Sequence, residues 1–274
     1  MSGRIFKSAG VAGAALLAAC WGGACAPKAI EPVRFDTAGL RAAADYTHLA
    51  YVLKHSVTGG GVLNRRKLAD CTGRLDAQLA LLAVTGPTAS PELFGGKDES
   101  LAYWYNARAA WAIKLASLLA KDQQAGPDLL EDKPFILDGR TMTLRDIDAI
   151  LASDADWRVL AAGPDVRFSR APLPAQPFRP ADVRGQLPAR LNNLLADPMR
   201  FVIDVERREI RVPPVLWQFR GRIMEEYRKA GGGEGATCIT ALLPLARGRA
   251  TGRLQDAIGY AAVAGPAYGE IAAE

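Results

Sequence analysis

The segment 99–119 constrains the fold of this 274-residue chain more than any other stretch. It is rich in alanine and leucine, which are strong helix formers, and it predicts the strongest helix of the sequence. Trp104 and Trp111 lie seven positions apart and therefore share one helix face. Because an aromatic face needs apolar cover, we expect both rings to pack in a core or to line a groove.

Further segments carry apolar residues at helical spacing, and glycine-containing breaks at 59–61 and 86–87 separate some of them. Thr143 and Asp146 have the spacing of a capping box, in which each side chain bonds exposed backbone at the start of a helix. We therefore predict additional helices over 37–55, 64–84, 144–151, 188–195, 217–229 and 239–247.

Short strands are indicated at two places. Apolar residues around Asp138-Gly139 predict a hairpin, since this dipeptide favours a tight turn, and segments 201–205 and 210–212 predict a second strand pair. Six prolines over 164–188 predict an extended loop that wraps the surface. We therefore predict an α+β fold, a helix-dominated single domain over 37–274 with one or two short β-hairpins and a long proline-rich loop.

The composition is that of an ordinary globular protein, with 49% hydrophobic and 23% charged residues. Lys and Arg number 34 against 29 Asp and Glu, so the net charge of +5 is modest. The basic clusters at 65–67, 207–208 and 247–253 lack interleaved aromatic residues, so we expect no nucleic-acid partner. We interpret them as solvated faces, with contact to anionic headgroups or cell-wall polymers as the alternative.

The N-terminus has the pattern of an export signal. Arg4 and Lys7 precede an apolar run over 9–19 that is too short for a permanent membrane span. Leu17-Ala18-Ala19-Cys20 matches the bacterial lipobox, in which a peptidase cuts before the cysteine and the thiol carries diacylglycerol. We therefore predict a lipoprotein-type signal peptide over 1–19.

Acylation of Cys20 would attach the mature protein to a membrane through a tether over 20–36. We expect a location in the cell envelope, with the protein facing the periplasm or the exterior. The alternative is cleavage at Ala24-Cys25-Ala26, which would release a soluble secreted or periplasmic protein beginning at Pro27.

Cysteines and histidines are few. With Cys20 acylated and a second cysteine in the tether, Cys71 and Cys238 form the one disulfide pair that we consider. His48 and His55 share a helix face, where histidines are more often packing or surface residues than metal ligands. No cysteine spacing resembles a zinc site, so we expect neither a metal nor a cofactor.

Two segments resemble motifs of a known family. Segment 101–110 reads Leu-Ala-Tyr-Trp-Tyr-Asn-Ala-Arg-Ala-Ala, and 139–148 reads Gly-Arg-Thr-Met-Thr-Leu-Arg-Asp-Ile-Asp. The first has Trp104, Asn106 and Ala107 in place, and the second follows the family's glycine turn and Ser/Thr-Leu pair. In this order the chain resembles the bacterial and plant domain of unknown function 547 family over roughly residues 40–220.

A third segment, 156–173, differs from that family at the positions where the family has a histidine and two cysteines. It retains five family residues, which are Asp156, Arg158, Ser169, Pro172 and Leu173. The family's histidine is Leu160 here, its first cysteine is Asp165 and its second is Arg170. A nucleophilic thiol needs a thiolate and a nearby base, and this segment lacks both. The resemblance therefore implies a degenerate, pseudoenzyme-like member, in which an ion pair of Arg170 with Asp165 would replace the thiols.

The leading hypothesis is a non-catalytic, lipid-anchored envelope protein that acts as a binding or scaffold module for an unknown envelope protein or cell-wall polymer. We assign no catalytic residue. Asn106 either orients a ligand or ties a neighbouring loop's backbone to its helix, because a polar amide in an apolar helix needs its hydrogen bonds satisfied. The vestigial cleft of the family would comprise Trp104, Asn106, Arg158, Leu160, Asp165, Ser169 and Arg170.

Two alternative functions stay open at this point. An envelope hydrolase or transferase of unknown substrate could use Asp165, Ser169 and a remote histidine. A small-ligand carrier would instead need an apolar pocket with convergent polar groups near Asn106 and Asp165.

Overall fold

The structure, a computed structural model, describes residues 30–119 and 128–266. The predicted signal peptide, the predicted acylation site Cys20 and the neighbouring Cys25 lie outside the described residues. Within the described ranges, no helix is both long and apolar enough to cross a bilayer. Helices hold 49% of the residues and strands 10%, so the prediction of a helix-dominated α+β fold is confirmed.

Helices form most of the described architecture. They are α1 Thr47–Ser56, α2 Arg65–Val84, α3 Lys97–Leu119, α4 Asp128–Asp132, α5 Leu144–Ala152, α6 Arg158–Ala161, α7 Leu187–Ala196, α8 Pro214–Trp217, α9 Arg220–Lys229, α10 Cys238–Leu242 and α11 Arg249–Asp256. Short 3₁₀ turns occur at Pro91–Leu93 and Leu243–Leu245. Helix α5 begins with the predicted Thr143–Asp146 capping box, and Asn64 Oδ1 accepts from Lys67 N at the start of α2.

Helix α3 lies at the centre of the core. It packs against α2, α4 and α5, and every residue from Leu101 to Ile113 is buried. A helix that is covered on all sides must be apolar around its whole circumference, which explains its alanine-rich sequence. Trp111 stacks on Phe135 with ring centroids 4.0 Å apart, and Trp104 is only 6% exposed. The prediction that both rings pack in a core or line a groove is confirmed.

Two small sheets accompany the helices. Strands β1 Phe135–Leu137 and β2 Arg140–Met142 pair antiparallel around Asp138-Gly139, where both residues have positive φ, as a tight hairpin turn requires. Strands β3 Val202–Asp204 and β4 Glu209–Val212 form the second predicted pair. A strand that we did not predict, β5 Ala261–Ala264, joins β4 in parallel. Its alanine-rich sequence carries no strand signal, so its pairing is set by tertiary contacts.

Several predicted element boundaries are wrong. Residues 37–46 are not helical, since Gly39 has φ +75° and the Asp45 carboxylate caps the N–H of Thr47. The predicted helix 217–229 is divided into α8 and α9, while α11 was not predicted at all. Within the segment predicted as a tether, the carbonyl of Val33 accepts a hydrogen bond from Ile136 N of β1 at 3.1 Å.

The proline-rich segment 164–188 lacks helix and strand as far as residue 186, as predicted. It does not wrap the surface throughout, however, because Val166, Ala171 and Phe178 are buried. An internal bond from Asp165 N to the carbonyl of Ala171, 3.0 Å long, closes the first part of this segment into a compact loop. The loop therefore contributes apolar side chains to the core.

The predicted disulfide between Cys71 and Cys238 is absent, and both cysteines are free thiols. Cys71 faces the core from α2, which packs against α1, α3 and β1. Cys238 begins α10, which packs against α9 and α11 in the C-terminal part of the domain. The two thiols therefore belong to different packing environments.

Candidate functional site

The residue at the family's first cysteine position lies in the interior of the domain. Asp165 is completely buried, and its carboxylate accepts hydrogen bonds from Arg108 Nη1 at 2.8 Å, Arg167 N at 2.9 Å and Arg167 Nε at 3.1 Å. Burial alone would raise the pKa of Asp165, but the adjacent Arg167 and Arg108 hold it well below the ordinary value. Asp165 is therefore an ionised structural carboxylate.

Asp165 belongs to a larger set of charges, which we call the buried ion network and which comprises Glu131, Asp148, Asp165, Arg108, Arg167 and Arg170. Arg108 extends from α3 and also donates from Nε to Asp148 Oδ1 over 2.7 Å. Three carboxylates and three guanidinium groups balance one another. Such a balance is what allows charges to be buried at all, since an isolated ion in an apolar interior is strongly unfavourable.

Arg170, at the family's second cysteine position, enters this network through a different partner from the one expected. Its Nη2 lies 2.5 Å from Asp148 Oδ2 and 3.8 Å from Glu131 Oε1. The prediction of a direct ion pair between Arg170 and Asp165 is therefore wrong, because Arg108 and Arg167 already bind the Asp165 carboxylate. Both positions nevertheless contribute to one network.

The position of the family's histidine is occupied by a leucine here and is surrounded by apolar side chains. Leu160 is 6% exposed on α6 and belongs to the hydrophobic core. The neighbouring Arg158 is partly exposed and pairs with Asp156, its Nε lying 2.8 Å from Oδ1. Neither residue offers a general base at this position.

Asn106 has the loop-tying role. Its Nδ2 donates to the carbonyl of Phe178 over 3.0 Å, and its Oδ1 accepts from Phe178 N at 2.8 Å. Because the amide is fully buried and both of its ends are bonded to one backbone position, Asn106 fixes the proline-rich loop onto α3. The interpretation that Asn106 ties a neighbouring loop's backbone to its helix is confirmed.

An open cleft of about 1490 Å³ lies beside the start of α3. Of the seven residues expected in a vestigial cleft, only Trp104 lines it. Its walls come from the start of α3, the end of α5, the 153–156 turn and the proline-rich loop, and they carry Phe94, Lys97, Asp98, Glu99, Trp104, Asp154, Asp156 and Arg184. We call this feature the α3 cleft.

Arg184 connects the walls of the α3 cleft. Its Nε lies 2.7 Å from Asp98 Oδ1 and its Nη2 lies 2.8 Å from Asp154 Oδ2. Burial would raise the pKa of Asp154, but the bond from Arg184 lowers it, so this carboxylate is ionised at neutral pH. Four carboxylates line the cleft against one lysine and one arginine, which gives the walls an excess of negative charge.

Comparison with models of known protein families, with curated proteins and with solved structures gives no match. Membership of the domain of unknown function 547 family therefore stays a prediction.

The two histidines and the two thiols that the structure describes do not form a catalytic arrangement. His48 Nδ1 lies 3.2 Å from Arg74 Nη1, and His55 stacks on Tyr51. Burial raises the pKa of both the Cys71 and the Cys238 thiols, which reduces their thiolate content. Across residues 30–119 and 128–266, no group of three His, Cys, Asp or Glu side chains could hold a metal ion.

The sequence analysis missed most of the residues that define these sites. Arg108, Asp148 and Glu131 were not singled out, although Arg108 stands in an otherwise apolar, alanine-rich helix. A charge at such a position requires a buried partner of opposite sign, and that was the available signal. Arg184 and Asp98 carried no comparable signal, because both lie in polar surroundings in the sequence.

Proposed function

We propose that this protein is a non-catalytic, lipid-anchored envelope protein that binds a partner through the α3 cleft. One observation carries the proposal: Asp165, at the position of the family's first cysteine, is completely buried and fully engaged by two arginines. A residue without access to solvent cannot attack or protonate a substrate. Segment 156–173 therefore has a structural role. The activity that suits the accessible surface is binding.

The catalytic alternative finds little support in the geometry. Ser169 forms no hydrogen bond with any described residue, so no general base is positioned on its hydroxyl. The Asp165 carboxylate that might assist it is bonded to Arg108 and Arg167. The carrier alternative required convergent polar groups near Asn106 and Asp165, yet both side chains are completely buried and bonded to protein.

The α3 cleft has the properties of a binding surface for an extended partner. It is wide and open, and Arg184 holds its two sides at fixed positions through Asp98 and Asp154. Glu99 lines the same cleft and makes no ion pair with a described residue. Because carboxylates are in excess, we expect a protein segment or cell-wall polymer that presents ammonium or hydroxyl groups.

Affinity capture from solubilised cell envelopes tests this proposal with the full-length protein and two charge-reversed variants. Glu99→Lys reverses a charge inside the cleft, and Glu225→Lys makes the same change on the exposed face of α9. We expect one reproducible partner, identified by mass spectrometry, whose recovery falls at least about fivefold with Glu99→Lys and is unchanged with Glu225→Lys. Equal recovery by all three proteins would refute binding at the cleft, and chemical conversion of the captured partner would refute the non-catalytic assignment.

A further inference from the structure

A second, smaller cavity lies on the loop that carries Ser169. It has a volume of about 280 Å³ and is lined by Phe168, Ser169, Met199, Arg200, Val202, Arg211, Pro213, Pro214, Gly265 and Pro266. We call it the Ser169 pocket. It shares no lining residue with the α3 cleft.

Two nearly buried side chains of this pocket have unused hydrogen-bonding capacity. Ser169 is 7% exposed, and its hydroxyl has no hydrogen-bond partner among the residues that the structure describes. Arg200 is 3% exposed, and its Nη2 likewise has no partner in the described structure. A buried donor without a partner, such as Arg200 Nη2, is rare in native proteins and indicates a group that normally bonds there.

The remaining nitrogens of Arg200 are fully used, which fixes its guanidinium in place. Nε lies 2.9 Å from Asp197 Oδ2, and Nη1 donates to the carbonyls of Arg167 and Arg170 over 2.6 and 2.8 Å. The guanidinium also lies over the ring of Phe168, 5.3 Å from its centroid. Arg200 is therefore held rigidly at the pocket wall, and Nη2 is its one nitrogen without a partner in the described structure.

The charged residues that line the pocket, Arg200 and Arg211, are both basic, and no carboxylate of the described residues lines it. The side chain of Arg211 is 41% exposed, and its nearest carboxylate contacts, to Glu209 and Asp204, are 3.7 and 3.9 Å long, beyond hydrogen-bond distance. Its donors are therefore available to an anion, and two arginines with a serine hydroxyl form a donor set that suits a carboxylate.

The rest of the pocket is apolar, with walls from Phe168, Val202, Pro213 and Pro214. Its volume of about 280 Å³ exceeds the ~150 Å³ that accommodates benzene in an apolar protein cavity. The pocket thus has room for a ring or short chain together with an anionic group. Because transfer of a doubly charged ion into such surroundings is more unfavourable than transfer of a single charge, the walls favour a monoanion over free phosphate.

We propose that the Ser169 pocket binds a compact organic carboxylate, with the anion on Ser169, Arg200 and Arg211 and the apolar body against the proline and phenylalanine walls. This site is independent of the α3 cleft and of the partner proposed for it. Ser169 would then act as a binding residue, which accounts for a hydroxyl that has neither a base nor a structural hydrogen bond.

Titration calorimetry of the full-length protein tests the proposal with benzoate, the neutral isostere benzamide and inorganic phosphate. Saturable binding of benzoate is expected with a Kd of about 0.1–1 mM, at least about fivefold tighter than benzamide or phosphate. Equal affinity for benzamide would contradict an anion site, tighter binding of phosphate would contradict a carboxylate site, and absence of saturable benzoate binding would overturn the proposal.

Variants locate the site while leaving the buried Arg200 intact. Ser169→Ala and Arg211→Gln should each weaken benzoate binding about fivefold to tenfold. Arg207→Gln is the matched control, since Arg207 is exposed, contacts the same Asp204 at 3.8 Å and does not line the pocket. The affinity of Arg207→Gln for benzoate should match that of the unaltered protein. A loss of affinity equal to that of Arg211→Gln would show diffuse charge attraction instead of a defined site.

Discussion

Arg108 donates from Nη1 to Asp165 Oδ2 over 2.8 Å, and neither side chain is exposed to solvent. This contact joins the central helix α3 to the first part of the proline-rich loop 164–188. Removal of one member of a buried ion pair leaves the other as an uncompensated charge in the interior. The segment that departs most from the family pattern is thus tied into the core through charges, and its integrity should matter to stability before it matters to any reaction.

Arg108→Met should lower the free energy of unfolding by about 3–5 kcal/mol, since Asp148 and Asp165 would each lose a buried partner. Urea denaturation followed by circular dichroism measures this loss. Lys229→Gln is the control, because solvent screens the exposed Lys229–Glu225 pair and its loss should leave the free energy of unfolding nearly unchanged. A loss for Arg108→Met no larger than that of the control would show that the network is energetically neutral.

Stability should fall in acid because of the network carboxylates. Burial would raise the pKa values of Asp148 and Asp165, but the neighbouring arginines lower both, so the unfolded chain takes up protons first. The stabilisation is complete above the ordinary carboxyl pKa of 3.8 and is lost as the pH falls below it. Asp148→Asn should reduce the pH slope of the unfolding free energy below about pH 4 by up to about 1.4 kcal/mol per pH unit. Urea denaturation of the unaltered protein and of Asp148→Asn between about pH 3 and 6 measures the two pH slopes, and equal slopes would contradict the prediction.

Asn106→Ala should release the proline-rich loop from α3. The change leaves the buried N–H and C=O of Phe178 without partners, and we expect a destabilisation of about 2–4 kcal/mol. Hydrogen exchange of the Phe178 amide should accelerate more than that of amides in α2. Asn192→Ala is the matched control, because Asn192 makes one exposed bond to Arg247 N and should contribute less than about 1 kcal/mol. Unchanged protection of Phe178 would contradict the loop-tying role.

Cys20→Ser should abolish lipidation in cells and shift the protein from the membrane fraction to the soluble fraction. Incorporation of an alkynyl fatty acid and mass spectrometry of the N-terminal peptide measure this directly. Cys25→Ser is the control and should retain the label, because only Cys20 completes the lipobox. An unlabelled protein whose first residue is Pro27 would instead establish the secreted alternative.

Local signals account for the elements that the sequence predicted correctly. The alanine-rich run of α3, the Asp138-Gly139 turn and the Thr143–Asp146 capping box are each specified by residues close in sequence. The failures depend on distant contacts. Strand β5 has no strand pattern of its own and forms because β4 offers an edge. Before α1, Ala43 N donates to Thr85 Oγ1 and Gln78 Nε2 donates to the carbonyl of Asp45, so this segment follows contacts with α2 and its C-cap instead of forming a helix.

The distinction between local signals and distant contacts also applies to the α3 cleft, the Ser169 pocket and the buried ion network. Asp165 and Arg170 could be identified as unusual from the family pattern, but Arg108 lies 57 residues from Asp165, and nothing local specifies which charges meet. The expectation that Arg170 would pair with Asp165 failed for this reason. The vestigial residues were treated as one cleft, whereas the structure separates them, with Trp104 in the α3 cleft, Ser169 in a different pocket and Asp165 in the interior.

Site-specific photo-crosslinking in living cells tests whether a partner binds at the α3 cleft. A photoreactive residue replaces either Lys97, which is exposed and lines the α3 cleft, or Lys229, which is exposed on α9 outside it. We expect one reproducible envelope component crosslinked from position 97, lost when Glu99→Lys is added, and no such product from position 229. Identical products from both positions, or none from position 97, would contradict the claim that this protein works by binding a partner at the α3 cleft.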